Sequence, residues 1–350
     1  MLIFARNFLS KSVRDGPSTS IVNLKYKNST IINVINEHPN TYHTNNNNNK
    51  IVMIKGFFGF LKNFFKIYKM LKKNYHIEFH CIYDLLGCFA PLIILFFINN
   101  KKTIVIYPRG MINKNILIKK KYIRVYYLKF IRFFVKTLNV NIIATSEYEK
   151  KQIMTLFSDI NEVVVIPNKT KLVHSQFKGV KKIKKYLKII FFSNITWKKN
   201  FPLFCKILND LDFRVKITII GSIFINKKIF YKMLTGLKKK HSVNYIGHID
   251  NDKIKNFIRE NHLLFLPTYD ENFGHVIVEN FLLGRPCIIS NNTPWNDNIF
   301  FNAGYSIPIS EIQSYKNAIS HYYNMDQNLF NLVCKSSKQY MENKLKNKLF

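Results

Sequence analysis

Glu271 and Glu279, with seven residues between them, lie in the run Pro267-Thr-Tyr-Asp-Glu-Asn-Phe-Gly-His-Val-Ile-Val-Glu-Asn-Phe-Leu-Leu-Gly-Arg-Pro-Cys-Ile-Ile-Ser290. Glu271 falls in a loop and Glu279 about one and a half turns inside the helix that follows, roughly 8 Å further along at ~1.5 Å per residue. Two carboxylates so placed can take hydrogen bonds from hydroxyls on two different rings. Between them, Asn272-Phe273-Gly274-His275 opens the helix. The first N–H groups of a helix have no intrahelical partner and sit at its positive dipole end, which suits a diphosphate. Gly274 lets that backbone approach a ligand closely.

The elements that must hold these residues are legible around them. Leu263 to Pro267 reads as a buried strand, and Phe273 to Leu283 as a helix with Val276, Ile277, Phe281 and Leu282 inward. Gly284 stops that helix, Pro286 follows, and Cys287 to Ser290 is the next strand. Two glutamates at this spacing occur on many solvated helices. It is the full strand, loop, helix, Gly-x-Pro, strand context that turns them into a candidate site.

In that context Glu271 and Glu279 resemble the E-x7-E motif of GT4-type retaining glycosyltransferases (glycosyl transferases group 1). The resemblance implies the GT-B fold: α/β, two Rossmann-like domains facing across a cleft. It further implies that Glu271 contacts the transferred sugar, that Glu279 binds ribose hydroxyls, and that Asn272, Phe273, Gly274 and His275 handle sugar and phosphate. Ser193-Asn194-Ile-Thr-Trp-Lys198-Lys199 resembles the family's diphosphate-clamping loop; Lys199 matches its Lys, while Asn194 replaces its Arg, which leaves open a slower enzyme, a different phosphate clamp or reduced activity, with Lys198, Lys199 or Arg109 able to compensate. Lysines in such a loop can equally be solvated surface charges. Gly247, in Tyr245-Ile-Gly-His248, matches the loop against the base. Gly16, in Asp15-Gly-Pro17, falls where relatives carry a Gly-rich loop, or is a plain turn into a helix.

Pro108-Arg109-Gly110-Met111 resembles the Pro-Arg-Gly-Met loop of a bacterial subgroup. There Arg109 would hold the donor phosphate or an acceptor oxygen with its fork of donors; the alternative is an exposed Arg in a turn. Thr145-Ser146-Glu147-Tyr-Glu149 reads as a capped helix start, Glu149 completing a capping box. Asp250-Asn251-Asp252 caps a helix rather than binding metal, and the family needs no metal and no cofactor beyond its nucleotide-diphosphate sugar, UDP- or GDP-linked. Trp295 either stacks on a sugar or packs.

Length bounds the organisation: 350 residues suit two α/β domains. We read residues 1–170 as the N-terminal acceptor domain and 171–185 as a basic interdomain linker. Residues 186–325 form the nucleotide-sugar domain, and 326–350 a terminal helix packing back on the first domain. Five scattered cysteines read as reduced core residues of a cytoplasmic protein. The longest apolar run, Leu85 to Ile98, carries Gly87 and Pro91 and is shorter than the ~20 residues a bilayer span requires.

A formal charge of +34 raises nucleic acid or an anionic membrane as partner. Lys, Asn, Ile and Phe are abundant throughout, as AT-rich codon usage produces, so nucleic acid is not expected. The surface lysines would nonetheless attract anionic lipid, placing the protein on the inner face of the cytoplasmic membrane. Ile51 to Leu71, with phenylalanines among lysines, reads either as a lipid-docking helix or as one packed on its own sheet.

The reading is thus a hexosyltransferase-like enzyme acting on a glycan or lipid-linked acceptor in surface polysaccharide (lipopolysaccharide, O-antigen or capsule) biosynthesis. Two alternatives are a GT-B sugar-nucleotide enzyme such as an epimerase, and a non-enzymatic basic binder of membrane or nucleic acid. Sugar transfer excludes the first; a response to nucleotide sugars excludes the second.

Overall fold

The computed structural model describes residues 1–6, 21, 28–35, 49–98, 101–112, 121–157, 162–168, 179–249 and 251–346. The chain divides into two compact units, Met1–Lys171 and Leu172–Phe350. Gly16 and Asp250 lie outside the described residues.

In the first unit the elements run β1 (Leu2–Arg6), β2 (Thr30–Ile35), β3 (Lys50–Lys55), α1 (Gly56–Lys62), α2 (Phe64–Lys73) and β4 (His76–Phe79). They continue with α3 (Ala90–Ile98), β5 (Thr103–Ile106), α4 (Lys121–Thr137), β6 (Asn141–Ala144), α5 (Glu147–Leu156) and β7 (Val164–Val165). The strands form one parallel sheet in the order β3-β2-β1-β4-β5-β6-β7. Leu2 to Ala5 are buried without alternation, as befits a strand covered on both faces.

Ser146 caps α5 by accepting from the Glu149 N–H at 3.1 Å, as the sequence suggests. The carboxylate of Glu149 reaches one residue further back than a capping box would take it. It accepts from the Thr145 N–H and hydroxyl, both at 2.7 Å, and from the Gly110 N–H at 2.6 Å. The Pro-Arg-Gly-Met turn is therefore tied to the start of α5 by one buried acid.

The second unit holds β8 (Lys188–Phe192), α6 (Phe201–Asn209), β9 (Lys216–Ile220), α7 (Lys227–Lys240), β10 (Ser242–Gly247) and α8 (Asn251–Glu260). After these come β11 (Leu263–Leu266), α9 (His275–Leu282), β12 (Cys287–Ser290), β13 (Gly304–Ile307), α10 (Ile312–Asn324) and α11 (Gln327–Lys346). Its sheet is parallel, in the order β10-β9-β8-β11-β12-β13. The winding reverses between β8 and β11. In doubly wound sheets the carboxyl ends of the two strands flanking such a reversal open the crevice where ligands bind. Phe191 packs on Phe201 and Phe204 at 5.2 and 4.9 Å, and Phe204 on Phe265 at 5.2 Å, so aromatic rings join β8, α6 and β11 below that crevice.

Two boundaries differ from the sequence reading. The stretch 171–185 reads as linker, yet its last residues are built into the second unit. Lys182 donates its backbone N–H to Gln327 at 2.7 Å, and its buried Nζ reaches the carbonyls of Ile183, Tyr323 and Met325 at 2.7 to 3.2 Å. A basic composition hides this, because what makes Lys182 internal includes two carbonyls, of Tyr323 and Met325, from a distant segment.

The terminal helix, expected against the first domain, turns its buried residues Phe330, Cys334, Ser337, Tyr340 and Met341 into the second unit. There Tyr340 packs on Phe281 of α9 at 5.2 Å, and the Ser337 hydroxyl donates to the Ala303 carbonyl at 2.9 Å. The amphipathic pattern gives α11 a face to bury without naming the surface that covers it. All five cysteines are buried. No helix among the described residues is long and apolar enough to cross a membrane.

Candidate active site

The loops leaving β8 and β11 meet at the reversal point of the second sheet. Thr268, wholly buried, donates its hydroxyl to the Lys198 carbonyl at 3.0 Å, and the Tyr269 N–H reaches the same oxygen at 2.9 Å. The Ser290 hydroxyl on β12 holds the Thr268 carbonyl at 2.6 Å, and the Glu271 N–H holds the Asn292 carbonyl at 3.0 Å. Three strand ends are thereby fixed to one another through backbone oxygens.

On this frame two consecutive lysines face two consecutive acids. Lys199 Nζ is bonded to the Glu271 carboxylate, and Lys198 Nζ pairs with Asp270 at 2.7 Å. Burial pushes the Glu271 carboxyl up, but Lys199, then Lys198, outweigh it and hold the group below the usual carboxylate range. Glu271 is therefore an anion at neutral pH. Lys199, expected on a diphosphate, is here the counterion of Glu271. The sequence reading passed over Asp270 and Thr268, although an Asp-Glu pair matched against a Lys-Lys pair is a signal the sequence contains.

Gly274 starts α9 in the left-handed region, at φ 70°, and no side chain caps the helix. A Cβ there would stand 2.9 Å from Glu271 Cγ and 3.0 Å from Ile277 Cδ1. Only glycine allows both the turn and the close seat of Glu271. Phe273 is buried; its ring contacts those of His275 at 4.8 Å and Trp295 at 5.6 Å. Trp295, which the sequence left between sugar stacking and packing, is fully buried and donates its indole N–H to the Phe273 carbonyl at 2.5 Å. It is a brace for the turn. Trp295→Phe should therefore cost about 1–3 kcal/mol by leaving that carbonyl unsatisfied, read as a lower urea midpoint.

Glu279 lies one turn into α9, where its carbonyl accepts from the Leu283 N–H at 3.1 Å. Burial raises its carboxyl from 4.5 to about 7, and Lys255 opposes the rise only in part. The two glutamates of the motif thus carry opposite electrostatics: Glu271 is held charged, whereas Glu279 is half charged near neutrality. Asn194 and Gly247 share the same carboxyl edge. A Cβ on Gly221 would sit 1.9 Å from the Ser193 carbonyl, so β9 passes against the Asn194 loop as only glycine can. The Gly221 N–H donates to the Gly247 carbonyl at 2.8 Å.

Arg109 belongs to the first unit, where its guanidinium is held by neighbouring side chains. The guanidinium is 7% exposed, donates to His80 Nδ1 through Nη2 at 2.9 Å and to Asn168 Oδ1 through Nη1, and lies 4.9 Å from the Tyr107 ring centre. Burial lowers His80 to about 4. Because arginine has no acceptor, the neutral imidazole takes the Arg109 bond at Nδ1 and donates from Nε2 to Glu78 at 3.2 Å. Arg109, at φ 54°, is thus a strut inside its own unit.

Two parallel α/β units of this winding in one chain constitute the GT-B fold of nucleotide-sugar glycosyltransferases. The chain superimposes on the crystal structure of Anabaena Alr3699/HepE in complex with UDP and glucose with a TM-score of 0.71, at 12% identity, covering 98% of this chain and 94% of that one. It superimposes on WaaG, a glycosyltransferase involved in lipopolysaccharide biosynthesis, with a TM-score of 0.66, at 11% identity, covering 97% and 94%. Within that fold, residues 174–344 match the family model of glycosyl transferases group 1, which spans nearly all of the second unit and every acid and lysine of the site above. An uncharacterized 41.2 kDa protein in the cps region of Klebsiella pneumoniae is 28% identical over 237 residues, 65% of this chain. The match spans 64% of that relative, less than two thirds of its length.

Proposed function

We propose that this protein is a retaining glycosyltransferase that moves a sugar from a nucleotide-diphosphate donor to a glycan or lipid-linked acceptor in surface polysaccharide synthesis. The observation that carries the reading is the Lys198–Asp270 and Lys199–Glu271 array at the reversal point of the second sheet, beside the uncapped start of α9. The likeness to HepE, solved with UDP and glucose, to WaaG, a glycosyltransferase involved in lipopolysaccharide biosynthesis, and to the cps-region relative supports the same class of chemistry.

In this reading the donor diphosphate lies on the first N–H groups of α9 with Lys198 and Lys199 as its cations. Glu271 accepts from hydroxyls of the transferred sugar, and Glu279 from the ribose. The bond between the anomeric carbon and the diphosphate oxygen breaks while the acceptor oxygen bonds to the same face of that carbon. The acceptor proton passes to the departing diphosphate. The protein supplies orientation and charge rather than a nucleophile. In this reading the enzyme draws its donor from a cytoplasmic pool of nucleotide sugar.

A thermal-shift titration with UDP, GDP and their sugar conjugates tests this directly, on the wild type and Glu279→Ala. A rise in melting temperature for one nucleotide, lost in the variant, is expected. No response to any of them overturns the proposal.

A further inference from the structure

The two ion pairs of the Lys–acid array are neighbours in sequence and differ in their surroundings. In the Lys199–Glu271 pair both side chains are largely enclosed, at 16% and 14% exposure. In the Lys198–Asp270 pair the acid is buried, at 4%, while the lysine keeps 35% of its surface. An acid so enclosed has no face to offer a ligand, whereas its lysine does. That lysine is fixed at both ends by three consecutive residues of the loop after β11. Its carbonyl accepts from the Thr268 hydroxyl at 3.0 Å and the Tyr269 N–H at 2.9 Å, and its Nζ lies 2.7 Å from Asp270 Oδ2. The Asp270 carbonyl shares the same Thr268 hydroxyl, at 2.9 Å.

Burying a carboxylate is unfavourable, and a pair that only filled space could be replaced by apolar side chains without loss. What this pair provides is a cation of fixed position. A free lysine side chain gives up the rotation of four bonds when it meets a ligand; Lys198 has given it up already. The contact also leaves its donors uncommitted, because Asp270 Oδ2 accepts no hydrogen bond among the described residues. The N–H groups of the ammonium remain for another acceptor. Asp270 has a second effect, on where the cation goes. Lys198 also acts on Glu271, whose carboxyl it helps hold low. With a neutral residue at position 270, Glu271 is the carboxylate left to attract the ammonium, and two lysines would then converge on one acid.

We infer that Asp270 is a positioning residue, which keeps the Lys198 ammonium apart from Glu271 and aimed at the terminal phosphate of a nucleoside diphosphate. This rests on the donor reading proposed for the site, in which Glu271 faces the transferred sugar, since the phosphate beside that sugar is the terminal one of the diphosphate.

Calorimetric titration with UDP, UMP, GDP and GMP, on the wild type, Asp270→Asn, Lys198→Met and the double variant, is the test. The readout is the ratio of monophosphate to diphosphate Kd for the base that binds. Each single variant is expected to lower that ratio about tenfold through loss of a charge-assisted hydrogen bond to the terminal phosphate, with monophosphate binding unchanged. The double variant should fall no further than either single one, because both substitutions remove the same contact. A merely structural role for Asp270 would weaken both nucleotides alike and leave the ratio where it was. Should Asp270→Asn melt early, equal ratios in Lys198→Met and the double variant, which buries no unpaired charge, carry the same conclusion, that Asp270 acts only through Lys198. A wild-type ratio in Asp270→Asn or in Lys198→Met overturns the inference and leaves the donor reading standing, as do losses that add in the double variant. A wild type that binds none of the four nucleotides overturns the donor reading, and the inference with it.

Discussion

Glu279→Gln is expected to melt higher than the wild type at pH 8 and to hold its nucleotide-sugar donor more weakly. The carboxyl of Glu279 rises from 4.5 in the open chain to about 7 in the fold, with burial as the main cause. Below pH 4.5 both states are protonated and the residue is neutral in its effect. Between pH 4.5 and 7 the folded protein retains a proton that the unfolded chain has released, so stability falls as pH rises. Above pH 7 the cost is complete; at ~1.4 kcal/mol per unit it reaches about 3–4 kcal/mol. Glutamine fits the same space and carries no charge to bury. Melting curves of the two proteins should therefore coincide near pH 4.5 and separate by several degrees at pH 8. Donor affinity should fall about tenfold, because an amide oxygen accepts a ribose hydroxyl more weakly than a carboxylate does. Coincident melting curves at pH 8 would sink the electrostatic part of this account.

Lys199→Ala should produce the reverse pH signature and the larger loss of activity. In the wild type the Glu271 carboxyl is held low, so its pairing stabilises the fold above the open-chain value and is lost as pH falls through the lowered one. Without Lys199, burial dominates and the carboxyl moves up. The variant then becomes relatively more stable as pH falls toward 4.5, where the wild type begins to lose this contribution. At neutral pH an acid left with Lys198 as its nearest cation costs about 2 kcal/mol, less than a fully buried pair because both partners keep some exposure. Loss of a cation from a leaving diphosphate should lower kcat by about 10²–10³, with a smaller effect on KM. Lys199→Arg should recover the stability profile and part of the rate. Steady-state kinetics and melts from pH 4 to 8 on the three proteins read both effects, and a Lys199→Ala enzyme of normal kcat would remove the residue from the chemistry.

How much of this could be seen in the sequence depends on how far apart the cooperating residues lie. The β11–α9–β12 unit is local. Its apolar strands, Gly274, Gly284 and Pro286 mark it within two dozen residues, and Glu271 and Glu279 fall where the pattern puts them. The partners of Arg109 are not local: His80 lies 29 positions away and Asn168 lies 59. A turn motif read alone therefore presents a free guanidinium where the fold provides a satisfied one. Asp270 and Lys198 meet for the same reason that Glu271 and Lys199 do, because the winding reverses between β8 and β11, and a reversal is a property of strand order rather than of any segment. Glu279 was legible as a position but not as an acid of unusual strength, since its desolvation comes from everything packed around it.

The buried ammonium of Lys182 has a consequence for where an independently folding second unit begins. Its Nζ joins the carbonyls of Ile183, Tyr323 and Met325, its backbone N–H joins Gln327, and the neighbouring Lys181 carbonyl is held by His262 Nε2 at 2.9 Å. The chain crossing into this unit is thus anchored several residues before its first strand, by a clasp that closes the end of α10 onto the start of α11. A fragment cut at Tyr186 would keep every strand and helix of the sheet yet lose the fastening of its own C-terminal third, whereas one starting ahead of Val180 would carry that fastening with it.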